Sequence, residues 1–142
     1  MYNHKFPSQI DTNKMPKNNT IDFKEGPLSK KLIGIAFDSY NAIGAGYSEK
    51  IYQNVFQELL EKNEIQFKRE VYCNLKFNEK IIGSYRLDFL IEGRVIVEMK
   101  SRNEIFKKDI SQVLNYLKFY HLTLGLIFCF GSDGVKIKRL VI

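Results

Sequence analysis

The stretch Val95-Ile96-Val97-Glu98-Met99-Lys100 constrains the fold more than any other part of the chain. Its first residues are apolar and β-branched at consecutive positions, so a strand here buries both of its faces. Such a strand needs helices above and below it. The chain supplies them on either side. From Pro27, the residues Leu32, Ile35, Ala36, Tyr40 and Ile43 recur at steps of three and four, the stripe of a one-sided helix. Gly44 closes that helix, because an achiral residue accepts the left-handed conformation. Ser48 is placed to cap a second helix with Glu49 in its first turn, and Ile51, Tyr52, Val55, Phe56, Leu59 and Leu60 form its expected buried face. Downstream, the polar residues Ser101 to Asn103 are candidate caps for a helix over about 105–121. Its apolar residues Phe106, Ile110, Val113, Leu114 and Leu117 keep helical spacing.

Alternation replaces the helical period between these blocks. Val71, Cys73, Leu75 and Phe77 alternate with Tyr72, Asn74 and Lys76, which predicts a half-exposed strand. Asn78-Glu79-Lys80 makes a turn, residues 81–91 a second strand and Glu92-Gly93 another turn, so the strand from Arg94 to Lys100 completes a three-strand meander. A strongly apolar strand over Leu124 to Phe130, a turn at Gly131-Ser132-Asp133-Gly134 and a strand over Val135 to Ile142 close the chain.

The 142 residues suit one domain. Residues 1–26 show no sustained period and read as a flexible leader, leaving 27–142 as the folded domain. The leader carries four Lys against three Asp and Glu, so of the 22 basic and 16 acidic residues, 18 and 13 belong to the domain. The excess of +6 is compatible with a polyanionic partner without identifying one. Cys73 and Cys129 alone exclude a disulfide framework, and with His4 and His121 as the only histidines a zinc cage has poor spacing. A Ser/His or Cys/His nucleophile pair is disfavoured for the same scarcity. No apolar run approaches membrane-span length and the N-terminus lacks a signal-peptide core, so no membrane association and a cytoplasmic location are expected. The sequence is silent on oligomeric state.

Chemistry must then rest on carboxylates, Lys, Arg and Tyr. Glu98 and Lys100 interrupt an otherwise apolar strand and project to one face. The short connection at 92–94 places Asp88 of the preceding strand opposite Glu98, and directly opposed side chains have Cβ atoms about 4.5–5.5 Å apart. Two facing carboxylates repel unless a cation lies between them, and Mg²⁺ suits oxygen ligands while keeping waters for reaction. Lys100 would stand close enough to orient such a water or to stabilise charge on a phosphate. The plainer alternative is a set of solvated polar residues at strand ends.

Asp88 followed across a hairpin by Glu98-Met99-Lys100, after one helix and before another, resembles the PD-(D/E)XK nuclease core. Gly46-Tyr47-Ser48-Glu49-Lys50-Ile51-Tyr52 resembles the name motif of the GxxExxY protein family, a branch of that superfamily. Arg69-Glu70-Val71, Arg86-Leu87-Asp88 and Gln112-Val113-Leu114-Asn115-Tyr116 follow in the family's order, so the resemblance spans about residues 30–142. Ala45 stands where the family often has Pro, and Cys129 where Asn is common. The resemblance implies an α/β fold, a mixed β-sheet flanked by helices. It implies a Mg²⁺- or Mn²⁺-dependent nuclease site of Glu49, Asp88, Glu98 and Lys100, with Asp88, Glu98 and Glu49 toward the metal and nucleic acid as partner. Gln112 and Tyr116 match the QxxxY motif that helps bind substrate in one branch of these nucleases.

The residues themselves leave alternatives. Glu49 also suits the positive end of a helix, and Gln112 and Tyr116 have the spacing of any amphipathic edge. Arg69 and Arg86 are candidate phosphate contacts or partners for Glu70 and Asp88. Phe119 and Tyr120 beside Lys118 suit stacking on bases or simple packing at a helix end. A catalytically inactive nucleic-acid-binding or regulatory module, or a protein interaction domain, competes with the nuclease. The leader has too little organised apolar surface to offset its own ordering. Limited proteolysis should therefore leave a stable core starting near residue 26. Deleting residues 1–24 should leave the melting temperature within a few degrees of the full chain, and a large drop would refute this boundary.

Overall fold

In the computed structural model, residues 20–142 are described, with side chains from Gly26 onward. Two helices, α1 (Thr20–Ile43) and α2 (Glu49–Lys62), lead into β1 (Phe67–Phe77), β2 (Lys80–Ile91) and β3 (Val95–Lys100). The third helix, α3 (Lys107–Tyr120), crosses to β4 (Leu124–Phe130), and β5 (Val135–Val141) ends the fold. The five strands form one sheet in sequence order, antiparallel throughout except for the parallel pair β3/β4. This is the mixed sheet expected. Its parallel step is the one that contains a helical crossover, as parallel neighbours require.

β3 and β4 are the central strands, and both expected coverings exist. Val95, Val97 and Met99 of β3 and Leu124, Leu126 and Phe128 of β4 face a core shared with Leu32, Ile35 and Ala36 of α1 and with Tyr52, Phe56 and Leu60 of α2. On the other face, Ile96, Ile127 and Cys129 pack with Val113, Tyr116 and Leu117 of α3. Gly125 explains how closely α3 sits: a Cβ at that position would lie 2.5 Å from Cγ1 of Val113.

Several boundaries differ from the sequence expectation for identifiable reasons. The backbone is already helical at Thr20, upstream of Pro27, while residues 1–19 of the expected leader lie outside the described residues. β1 begins at Phe67, because Phe67, Lys68 and Arg69 pair with Ile91, Leu90 and Phe89, a tertiary pairing that the polar run Lys68-Arg69-Glu70 conceals. α3 starts at Lys107 rather than near 105. Its first turn is held by Asp109, whose Oδ2 accepts the Phe106 N–H at 2.8 Å. The residues expected as caps are engaged elsewhere, Asn103 accepting the Ser132 N–H at 2.7 Å and Ser101 donating to the Tyr47 carbonyl.

Three residues assigned to buried faces are open instead. Ile51 and Phe106 lie on the surface, and Phe106 is covered by the Arg102 guanidinium at 4.1 Å from the ring centre. Phe77 is 64% exposed. The paired register of β2 with β3 covers only Phe89 to Ile91, so the far end of the β1–β2 hairpin extends beyond the sheet and its inward-facing residues meet no core.

The close approach at Gly125 yields a test. Gly125→Ala forces Val113 or the α3 backbone to move, and overpacking of this kind costs about 1–3 kcal/mol. Urea unfolding should show that loss, and a variant as stable as wild type would mean that α3 does not rest on β4 as described.

Candidate active site

The site forms where β2 parts from β3. The register pairs Phe89 with Val97, and continuing it by one residue sets Asp88 against Glu98, as the hairpin length predicted. At that point side chains replace the backbone ladder. The Asp88 N–H donates to Oε1 of Glu98 at 3.0 Å, and the Met99 N–H donates to Oδ2 of Asp88 at 2.8 Å. Opposite Asp88, Glu70 takes a φ of 56° and drops out of the paired register with β2. Side-chain direction changes there too: Phe89 joins the core under α1 and α2, whereas Leu87, two residues away, joins the α3 core. A local break in the strand thus re-aims the chain at the carboxylate, a common use of strand irregularities.

Both carboxyls are buried, Asp88 at 6% and Glu98 at 2% exposure. Burial raises the Asp88 carboxyl above the ordinary range, against the opposing pull of the Met99 N–H and the Lys100 charge. The Glu98 carboxyl lies well above its ordinary value, first through burial and then through the charge of Asp88. Two acids that resist ionising together, with one oxygen of each outside the two bonds just described, fit a hard divalent cation as oxygen donors. Among the described residues, no group of three or more His, Cys, Asp or Glu is gathered tightly enough to hold a metal as it stands. The fit therefore rests on the pair.

Lys100, two residues beyond Glu98, is half-buried and opens into a cleft of about 690 Å³. Glu49 lines the same cleft from the start of α2, where Ser48 caps the helix by accepting the Ile51 N–H at 3.4 Å. Its charge reaches both buried acids and raises them further. The tie between Ser101 and the Tyr47 carbonyl holds the loop before α2 to the end of β3. Gly44 and Gly46 take positive φ of 77° and 94° in that loop, and the Tyr52 hydroxyl donates to the Gly44 carbonyl at 2.6 Å. Tyr52 itself is buried against Phe130, ring centres 4.3 Å apart. Gly46, Glu49 and Tyr52 thus have separate physical tasks: a turn, a charge at the cleft and an anchor.

Gln112 also lines the cleft, and its Nε2 donates to the Tyr116 hydroxyl at 2.6 Å. Tyr116 is buried and donates in turn to the Arg86 carbonyl at 3.0 Å, bracing β2 two residues before Asp88. Burial pushes the Tyr116 phenol far above its ordinary value, so it stays protonated and serves as a donor. Arg86 is exposed, 3.8 Å from Glu70, and its charge favours ionised Asp88. Arg69 is not brought to the cleft. Its guanidinium donates to Gln53, Asn54 and Gln57 of α2 and lies 5.6 Å from the Phe89 ring centre, on the opposite face of the sheet. Its position supports packing between β1 and α2 rather than the substrate contact expected from the sequence.

Sequence reasoning missed Arg102, Lys108 and Tyr85, which line the cleft with Lys100. Arg102 is fixed by Asp109 at 2.6 Å, an acid at 2% exposure. A signal existed for Arg102. In a helix-covered sheet, ligands bind beyond the carboxyl ends of parallel strands, and Arg102 follows the end of β3 directly.

A family model described as the PD-(D/E)XK nuclease superfamily matches residues 27–140. The chain belongs to that superfamily. Comparison with curated proteins gives no match. Among solved structures, the chain is similar to one described as the crystal structure of SSO0001, with 16% sequence identity and a TM-score of 0.47 over 85% of this chain and 61% of that one. This chain thus spans about three fifths of that protein's length. Asp88 and Glu98-Met99-Lys100 stand in the order of the PD-(D/E)XK pattern, on the two strands of the β2–β3 hairpin.

The raised acids set a pH dependence. A carboxyl raised in the folded state binds its proton more tightly there than in the unfolded chain, so the contribution of these two groups to stability is greatest at low pH and falls as pH rises from about 4, the ordinary carboxylate value, through the folded values. Asp88→Asn and Glu98→Gln should remove part of that decline, so their stability in EDTA should gain on wild type from pH 4.5 to 8 in urea unfolding. Divalent cations should raise the wild-type melting temperature more than that of either variant, because ligand bound only by the folded state stabilises it. Equal shifts in all three proteins would remove the metal from Asp88 and Glu98.

Proposed function

We propose that the protein is a metal-dependent nuclease of the GxxExxY branch, hydrolysing phosphodiester bonds in DNA or RNA with Mg²⁺ or Mn²⁺. The observation that carries this reading is the buried Asp88–Glu98 pair across β2 and β3, with Lys100, two residues beyond Glu98, lining a cleft together with Glu49, Arg102 and Lys108. The chain's membership of the PD-(D/E)XK superfamily supports it. So does the ordered set of motifs from Gly46 to Tyr116, which is also the support for the finer family assignment.

Asp88 and Glu98 would hold the cation, and Glu49 would add a further carboxylate from the cleft, directly or through water. When bound, the cation supplies Lewis acidity and a water of lowered pKa. Lys100 orients the attacking water or carries negative charge that develops on the phosphate. Lys100, Arg102 and Lys108 attract the polyanion, in a cleft whose acids are Asp109, paired with Arg102, and Glu49. Gln112 reaches the same cleft from α3 as a polar contact for substrate, while Tyr116 positions it and the β2 backbone. Among the described residues no helix is long and apolar enough to cross a membrane. Both cysteines are buried free thiols, which fits a reducing, cytoplasmic setting.

Cleavage of single-stranded and duplex DNA and RNA by the purified chain should require Mg²⁺ or Mn²⁺ and stop in EDTA. Lys100→Met keeps the aliphatic stem and both metal ligands while deleting the charge. It should cut about 100-fold more slowly or worse, the usual contribution of a positioned acid–base or charge-stabilising group, and keep its cation-induced melting shift. A folded Lys100→Met chain that cuts like wild type reduces Lys100 to a surface charge. Nucleic-acid binding without any cleavage in wild type would replace this reading by a non-catalytic binding module.

A further inference from the structure

Beside the cleft, between the β1–β2 hairpin and α3, lies a second hollow of about 390 Å³, within the range of small-ligand sites. Cys73, which is buried, and Leu75 line it, and Tyr85 and Phe119 remain 38% and 40% exposed beside it. Asn115 and Lys118 are exposed at its edge. Tyr85 and Asn115 line both this hollow and the cleft of Lys100, so the two adjoin. Each exposed ring is fixed by a neighbour: Tyr85 meets Tyr116 at 5.9 Å and 76°, and Phe119 meets Tyr120 at 4.9 Å and 75°. The Tyr120 hydroxyl is itself bonded to the Tyr72 carbonyl at 3.2 Å. These are aromatics already ordered before any ligand arrives. No acidic side chain lines the hollow among the described residues.

Flat apolar walls, an amide at the edge and a cation beside it match the three parts of a nucleotide: the base face, the base edge and the phosphate. A ring can stack only on a base whose face is free, and pairing within a duplex hides that face between neighbours. The cations continue the path, Lys118 at the hollow and then Lys100, Arg102 and Lys108 in the cleft. We infer that this hollow holds an unpaired nucleobase adjacent to the bond being cut, so that the protein acts on nucleic acid that is single-stranded at the cleavage point. The inference rests on the nuclease reading and narrows its substrate class.

The test uses the full chain carrying Lys100→Met, which keeps the metal ligands and slows cleavage, in Mg²⁺ with fluorescent oligonucleotides. Single strands should bind more tightly than duplexes of the same sequence. Phe119→Ala and Tyr85→Ala should each weaken single-strand binding on the order of 10-fold, the usual worth of one stacked base. Phe119→Trp should restore it, which a merely structural role would not do. A single abasic position walked along the strand should cost the parent a similar factor at one place, and cost Phe119→Ala nothing further there. Unchanged binding in both Ala variants, or equal binding and cutting of duplex and single strand, would overturn the base site. The nuclease reading would survive that result, provided that wild type still cuts in Mg²⁺ and stops in EDTA. Absence of both binding and cleavage for every substrate would remove the nuclease reading and the base site with it.

Discussion

Two carboxyls buried side by side at the end of a central strand are the constraint on which the rest of the structure turns. Ionising both in a low-dielectric setting is costly, about 1.4 kcal/mol for each unit by which a pKa is raised. The backbone offsets part of that cost by giving each carboxyl an N–H from the opposite strand, Asp88 to Glu98 and Met99 to Asp88. Those N–H groups become available because β2 and β3 cease to pair through their backbones at Phe89 and Val97. The same departure from regular pairing therefore creates the site and supports it. A fully regular ladder would satisfy its own N–H groups and leave the acids without donors.

Placing the remaining residues at that point needs rigid surroundings, and aromatic contacts provide them. Tyr40 donates its hydroxyl to the Gly131 carbonyl at 2.8 Å, and Tyr52 stacks between the glycine loop and Phe130. Glu49 is thereby carried to the cleft by the start of α2. On the other face, Asp109 holds both the first turn of α3 and Arg102, so that one buried acid fixes the helix and a cation of the cleft together. The elements that flank the sheet are as much positioning devices as coverings.

Much of this was legible in the sequence, and the reasons differ by element. The doubly apolar run of β3 demanded helices on both faces, and both exist. The Asp88–Glu98 opposition followed from hairpin length, since register in a short hairpin is set by its loop. What could not be read was whatever depended on contacts between distant segments. The polar start of β1 is a strand only because β2 pairs with it, and Phe77 lies open because β3 is too short to extend the sheet beneath it. Arg69 resembles a phosphate contact when its motif is read along the chain, yet three amide side chains of α2 surround its guanidinium. Phe106 was assigned to a buried face by periodicity, although Arg102 covers it at the surface.

The layering of charge around the cleft narrows what the site can do. Asp88 and Glu98 are buried, while Glu49, Lys100, Arg102, Lys108 and the Arg102-paired Asp109 line the cleft. A site for a cationic substrate would need no basic walls, and a simple anion site would not keep two buried acids within two residues of its Lys100 wall or across the strand from it. The order of signs suits a ligand that is itself negative and is met by a cation held between it and the acids, as a phosphodiester is. Because Asp88 and Glu98 are buried and Asp109 is paired with Arg102, long-range attraction of the polyanion by the cleft cations is opposed within the cleft mainly by Glu49. Raising the salt concentration should therefore weaken capture of nucleic acid far more than it weakens the metal-induced rise in melting temperature, since the exposed cations are screened and the buried pair is not.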